Sequence, residues 1–248
     1  MSNQRHEATS LRARTFVPQL KQRRDRLVYE GRIGAIGATA HSRYRLVAVA
    51  ALGALVLLVV TALISPVLNA LAAAGIVALV AGGWPAATGV AELRCVHRIY
   101  SHSVIILLAG LSSVALSYFD HSTERLNLLP AVAAVGVLAS FIVELWRGEG
   151  AEGRLESVIS CISGVLASVS VAGWIGIAGL YHVSRDTSSV LIVGLSFAVV
   201  LAIFGIRLIS AGPKEGPRRG AVTLGVTPVA FVGVIGYVTA IFLTPVIG

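Results

Sequence analysis

Charge is what this sequence has least of. Only 13% of its 248 residues are Asp, Glu, Lys or Arg, well below the roughly 25% of a soluble domain. With 56% hydrophobic residues, a water-soluble fold of this size could not hide its apolar surface, which leaves lipid as the solvent. Cysteine is nearly absent too: Cys95 and Cys161 are the only two, which excludes a disulfide framework. Cys161 falls inside an apolar run and reads as a small packing residue. No phosphate-cradling Gly-Lys-Ser/Thr loop, G-x-S-x-G elbow or H-E-x-x-H pair occurs, so the familiar nucleotide, acyl-transfer and zinc-protease signatures are missing.

Long hydrophobic runs are there instead. Seven apolar segments stand out, at Leu46–Ile64, Leu68–Trp84, Ser101–Phe119, Leu128–Leu145, Ser157–Leu180, Val190–Ile209 and Val222–Ile247. None alternates polar and apolar residues as barrel strands do, and unpaired backbone amides are too costly in hydrocarbon for anything but helix. The expected fold is all-α: a polytopic transmembrane bundle of about seven spans (46–248) behind a basic tail (1–45). The tail is expected to be partly disordered, with an interfacial helix at 18–30 started by Pro18 and stopped by Gly31. Ser65-Pro66-Val67 predicts a tight hairpin between the first two spans. No connection is long enough for a soluble domain. A cleaved signal peptide is not expected, since Leu46–Ile64 is longer than a signal core.

The positive charge is one-sided. The net charge is +8, and residues 1–45 hold ten of the twenty Lys and Arg against three acids. With the spans marked, 18 of the 20 fall on one face, and only Arg125 and Arg185 on the other. Positive loops stay inside, so the N-terminus is expected in the cytoplasm and the C-terminus outside. The bias of Arg over Lys and the Ala/Val/Gly richness suggest a bacterial cytoplasmic membrane. The tail cations Lys21, Arg23, Arg24, Arg26, Arg32, Arg43 and Arg45 suit anionic headgroups or a cytoplasmic partner. Nucleic acid is not expected, because the tail carries no readable motif. Arg94, Arg98, Arg147, Arg218 and Arg219 form a second expected set, placed to hold phosphate or lipid headgroups.

Within the spans no ionisable residue lies at a centre. Glu144 is expected to reach the headgroups and to pair with Arg147 three positions on. That absence argues against a proton pump or a carboxylate-based cation carrier. Ser160, Gly164, Ser168, Ala172 and Gly176 recur every fourth residue, which predicts a small-residue face for helix packing or for a protein partner, a second copy included. Thr227-Pro228 predicts a structural kink in the seventh span, with Thr227 or water satisfying the freed backbone, and a broken helix forming a midplane site is the alternative. Two outer loops hold Asp120, His121 and Glu124, and His182 and Asp186, which could supply metal ligands or an acid–base pair. No metal or cofactor is expected.

Three functions follow. The first is a non-enzymatic scaffold or regulatory component of a membrane assembly. The second is a permease or lipid-handling carrier of uncharged or amphiphilic molecules. The third is an enzyme acting on a lipid-linked substrate at the outer face.

Overall fold

The computed structural model describes residues 36–88, 96–119, 127–146, 154–183 and 218–247. Every element among them is a helix: α1 Ile36–Ile64, α2 Pro66–Ala87, α3 Val96–Phe119, α4 Leu129–Trp146, α5 Arg154–Ser170, α6 Gly173–Val183 and α7 Arg218–Ile247. Six stretches are long and apolar enough to cross a membrane: Arg45–Ile64, Pro66–Ala87, Tyr100–Phe119, Leu129–Trp146, Ser157–Tyr181 and Arg218–Ile241. They coincide with six of the seven expected segments. The remaining one, 190–209, lies outside the described residues.

The first hairpin is as tight as a helical turn allows. Ser65 alone separates α1 from α2, extended at φ −160° and ψ 138°, with Pro66 at the first helical position. A residue before proline is pushed out of the α region, and proline's fixed φ then starts the next helix. Helical backbone also runs ten residues upstream of Leu46, to Ile36. At the other end of α2, Pro85 does not stop the helix. The Thr88 amide donates to the Trp84 carbonyl at 3.0 Å and its hydroxyl to the same oxygen at 3.1 Å.

The bundle is sorted by burial. In the stretch formed by α5 and α6, 72% of the most apolar part is buried, against 22% in α1 and α4. Span five is therefore the axis, and α2, α3, α4 and α7 pack against it. α1 is peripheral and turns one face inward through Val47, Ala54, Leu58 and Ala62. The core around the axis includes Ile76, Val80, Ile106, Val165, Val171, Trp174 and Val226. Lipid tails are as apolar as these side chains, so close contact and polar links must hold the helices together.

Contacts define two ends. The proximal end gathers the starts of α1, α3, α5 and α7 with the finishes of α2 and α4. Gly225 lies against the Val47 carbonyl, Gly220 against Ala86 and Ala87, and Trp84 bonds Ser160. The distal end holds the start of α2 beside α6, joined at Asn69 and Trp174. α6 thus finishes at the distal end, and α7 begins at the proximal one.

Candidate functional site

Span seven carries its proline within an unbroken helix. α7 is continuous through Pro228, and the Thr227 hydroxyl donates to the Thr223 carbonyl at 2.8 Å. Span five is the interrupted one: α5 stops at Ser170, α6 starts at Gly173, and Val171 and Ala172 form a turn between them. The bonds there tighten to three-residue spacing, from the Val171 amide to the Ser168 carbonyl at 3.3 Å and from the Ala172 amide to the Val169 carbonyl at 3.2 Å. Just inside α5, the Ser170 hydroxyl donates to the Leu166 carbonyl at 2.7 Å, a side-chain bond that can bend a helix.

Tertiary contact fixes the position of the break. Gly173 sits on the backbone of Gly233 and Val234, so closely that a Cβ would collide with main-chain atoms. Trp174 then donates its indole N–H to the Val229 carbonyl at 2.8 Å. Its own carbonyl accepts from the Asn69 amide nitrogen at 2.9 Å, and Asn69 Oδ1 accepts from the Thr61 hydroxyl at 3.2 Å. Interrupted backbone at this depth survives only where it is buried in protein. Here Asn69 of α2 and the glycine-rich face of α7 bury it.

The proximal end holds three polar side chains in contact. His102 starts the third span, Glu144 ends the fourth and Ser157 starts the fifth. His102 is 1% and Glu144 4% exposed. His102 Nε2 lies 3.3 Å from Glu144 Oε1 and 3.2 Å from Ser157 Oγ, and the Ser157 hydroxyl donates to the same Oε1 at 2.5 Å. This corrects the expectation that Glu144 reaches out to headgroups. A carboxylate on the inward face of α4 meets donors from two neighbours, which satisfy it without water. Arg147, its expected partner, lies outside the described residues.

The Ser–His–Glu composition invites comparison with an acyl-transfer triad, and the geometry rejects it. In such a triad the acid holds one imidazole nitrogen while the serine meets the other. Here both oxygens meet Nε2, the serine proton is committed to the carboxylate, and Ser157 is fully buried. The arrangement links three helices and can carry a proton. It cannot present a nucleophile in this state.

All five residues of the small-residue face are buried. Gly164 meets Ile106 and Trp84, and Gly176 meets the Tyr237 ring. Ser168 donates to the Ile106 carbonyl at 3.0 Å, and Ser160 Oγ lies 2.7 Å from the Thr88 hydroxyl oxygen. The face continues as a series of links from α5 to α2 and α3, completed by the Trp84 indole N–H, which donates to the Ser160 carbonyl at 2.7 Å.

The cationic sets are only partly visible. Arg45, Arg218 and Arg219 are exposed at the proximal end. Arg43 and Arg98 lie in the helical backbone of α1 and α3, with side chains outside the description. Lys21, Arg23, Arg24, Arg26, Arg32, Arg94 and Arg147 fall outside the described residues, as do Asp120, His121, Glu124 and Asp186. His182 is placed only as backbone in α6. Among the described residues no three His, Cys, Asp or Glu side chains are grouped to hold a metal.

Asn69, His102 and Ser157 were missed in the sequence. Asn69 had a signal, being the one amide within an apolar run. His102 and Ser157 looked like ordinary polar residues at the edges of spans. No protein-family model, curated protein or solved structure matches this chain.

Proposed function

We propose that this chain is a non-enzymatic scaffold or regulatory component of a membrane assembly. It crosses the bilayer seven times, with its N-terminus in the cytoplasm and its basic tail on anionic lipid or a cytoplasmic partner. One observation carries this reading: the central span is locked on all sides. Hydrogen bonds run from side chains of one helix to backbone carbonyls of another at Asn69, Trp84, Ser168 and Trp174. Glycine contacts bring α6 against α7 and α2 against α7. A carrier needs helices that rock around a watered midplane site, and these links oppose it. The opposite placement of the end of α6 and the start of α7 supports an additional crossing between Val183 and Arg218. The described arginines, gathered at the proximal end, support a cytoplasmic assignment for that end.

The interrupted span five favours a second reading, a carrier of uncharged or amphiphilic molecules, since broken helices line midplane sites in transporters. Labelling separates the two. With Cys95 and Cys161 replaced, Ala172→Cys in membrane vesicles should resist a water-soluble maleimide, and gentle extraction should recover the chain with a stoichiometric companion. Rapid labelling from water, with the chain extracted alone, would sink the scaffold. Neutralising Arg23, Arg24, Arg26 and Arg32 should weaken binding of residues 1–45 to anionic vesicles by about 1 kcal/mol per residue. A reporter fused after Gly248 should be active only outside the cytosol.

A further inference from the structure

We propose that the proximal edge formed by α1 and α7 binds an anionic phospholipid, its phosphate held by Arg45, Arg218 and Arg219 and an acyl chain lying along Val49, Leu52 and Val56 of α1. The inference concerns the bundle itself and stands apart from the contact of the tail with lipid. Three close approaches bring the arginines to one edge. Gly225 of α7 lies against the carbonyl of Val47, which follows Arg45 by two residues in α1. Gly220, directly after Arg218 and Arg219, rests on Ala86 and Ala87 at the finish of α2. Gly83 of α2 meets the Arg219 carbonyl. The first turns of α7 are therefore seated between α1 and α2, and all three arginine side chains are exposed there. Arg218 precedes Gly225 by seven residues and Arg45 precedes Val47 by two, so helical rise sets them about 8 Å apart in depth. The headgroup layer on each side of the hydrocarbon is about 5–8 Å deep, so a single layer takes both.

The surroundings select a lipid over a soluble anion. Arg45, Val49, Leu52 and Val56 recur at intervals of three and four residues and share one face of α1. Beneath the cation that face is apolar, with Val49, Leu52 and Val56 all exposed. A phospholipid carries its phosphate and its acyl chain on one molecule, and this face receives both parts in the right order of depth. Aromatic rings mark that depth. Tyr100 and Trp146, each two residues to the proximal side of the His102–Glu144 contact, are 67% and 86% exposed, and exposed Tyr and Trp settle at the headgroup layer. The Thr88 hydroxyl, next to the seat of Gly220, meets Ser160 one turn from Ser157, which puts the start of α7 at the same end. Among the described side chains Glu144 is the only carboxylate, and it is buried, so none there competes for the arginines. Guanidinium groups hold phosphate oxygens through paired N–H donors.

Spin-labelled lipid tests the site in the full chain. The protein is reconstituted in phosphatidylcholine vesicles holding a trace of phosphatidylglycerol or of phosphatidylcholine with a nitroxide on the acyl chain, and the label immobilised by the protein is measured. The expected result is a preference for phosphatidylglycerol. Arg45→Gln, Arg218→Gln and Arg219→Gln should each lower that preference, by up to about fivefold per residue, and the three together should remove it. Arg218→Lys with Arg219→Lys keeps the charge and should keep most of the preference. Arg23→Gln, Arg24→Gln, Arg26→Gln and Arg32→Gln together leave the edge intact and should leave the preference standing. Equal immobilisation of the two lipids by the unaltered chain would overturn the proposal, with no variant needed. So would a preference that survives loss of all three edge arginines, or one that vanishes with the four tail arginines alone. Excess inorganic phosphate at constant ionic strength should not release the label, and release would reassign the edge to a soluble anion.

Discussion

The two ends of span five face the same problem and meet it with different chemistry. At the proximal end a carboxylate, an imidazole and a hydroxyl satisfy one another. At the distal end an amide, an indole and two backbone carbonyls do so. Both networks pair buried polar groups with one another. The distal set carries no titratable group, so its geometry is indifferent to pH. The proximal set includes two ionisable side chains, His102 and Glu144, both buried. The two ends of one span can thus be fastened by different side-chain chemistry. The polar residue chosen at each end decides.

The largest expected effect tests the distal end. Gly173→Val forces a side chain into the backbone of α7 and should cost about 3 kcal/mol, near the top of the usual overpacking range, or abolish folding. Denaturation in mixed micelles reads this directly. Gly75→Ala or Gly82→Ala is the control, since a Cβ there meets nothing within 4 Å. Either should stabilise by up to about 1 kcal/mol. Next comes the proximal end. Glu144→Leu removes the acceptor shared by His102 and Ser157 and should cost about 1–3 kcal/mol, with Glu144→Gln milder. A smaller effect belongs to Asn69→Leu, about 0.6–1.7 kcal/mol by the range for membrane hydrogen bonds. The smallest should be Leu138→Ala on the lipid-facing side of α4, within about 0.5 kcal/mol. A large loss there would show that this face has a partner.

Much of the fold was legible because lipid imposes a simple rule. A run of about 20 apolar residues must be a helix, so Leu46–Ile64 and Ser101–Phe119 announced themselves. Ser65-Pro66 announced its turn through local sterics alone. The candidate sites were less visible. Glu144 was misplaced because a carboxylate near the end of a span can equally face headgroups or neighbours, and sequence spacing offered Arg147 as its nearest partner. The break in span five was not read, because it lies at no proline. Pro228 is carried by its helix with Thr227 bonded one turn back, whereas Gly173 gives way where α7 presses on it. Ser160, Gly164 and Ser168 showed their spacing but not which helices they would meet.

By itself the sequence determined the medium, the helical state and the register of six spans, since these follow from local hydropathy and backbone hydrogen bonding. Tertiary structure decided which span became the axis, where it broke and which polar side chains met. Those outcomes depend on pairs distant in the chain, Asn69 with Trp174 and His102 with Glu144, and a contact of that kind has energy only once the helices have docked.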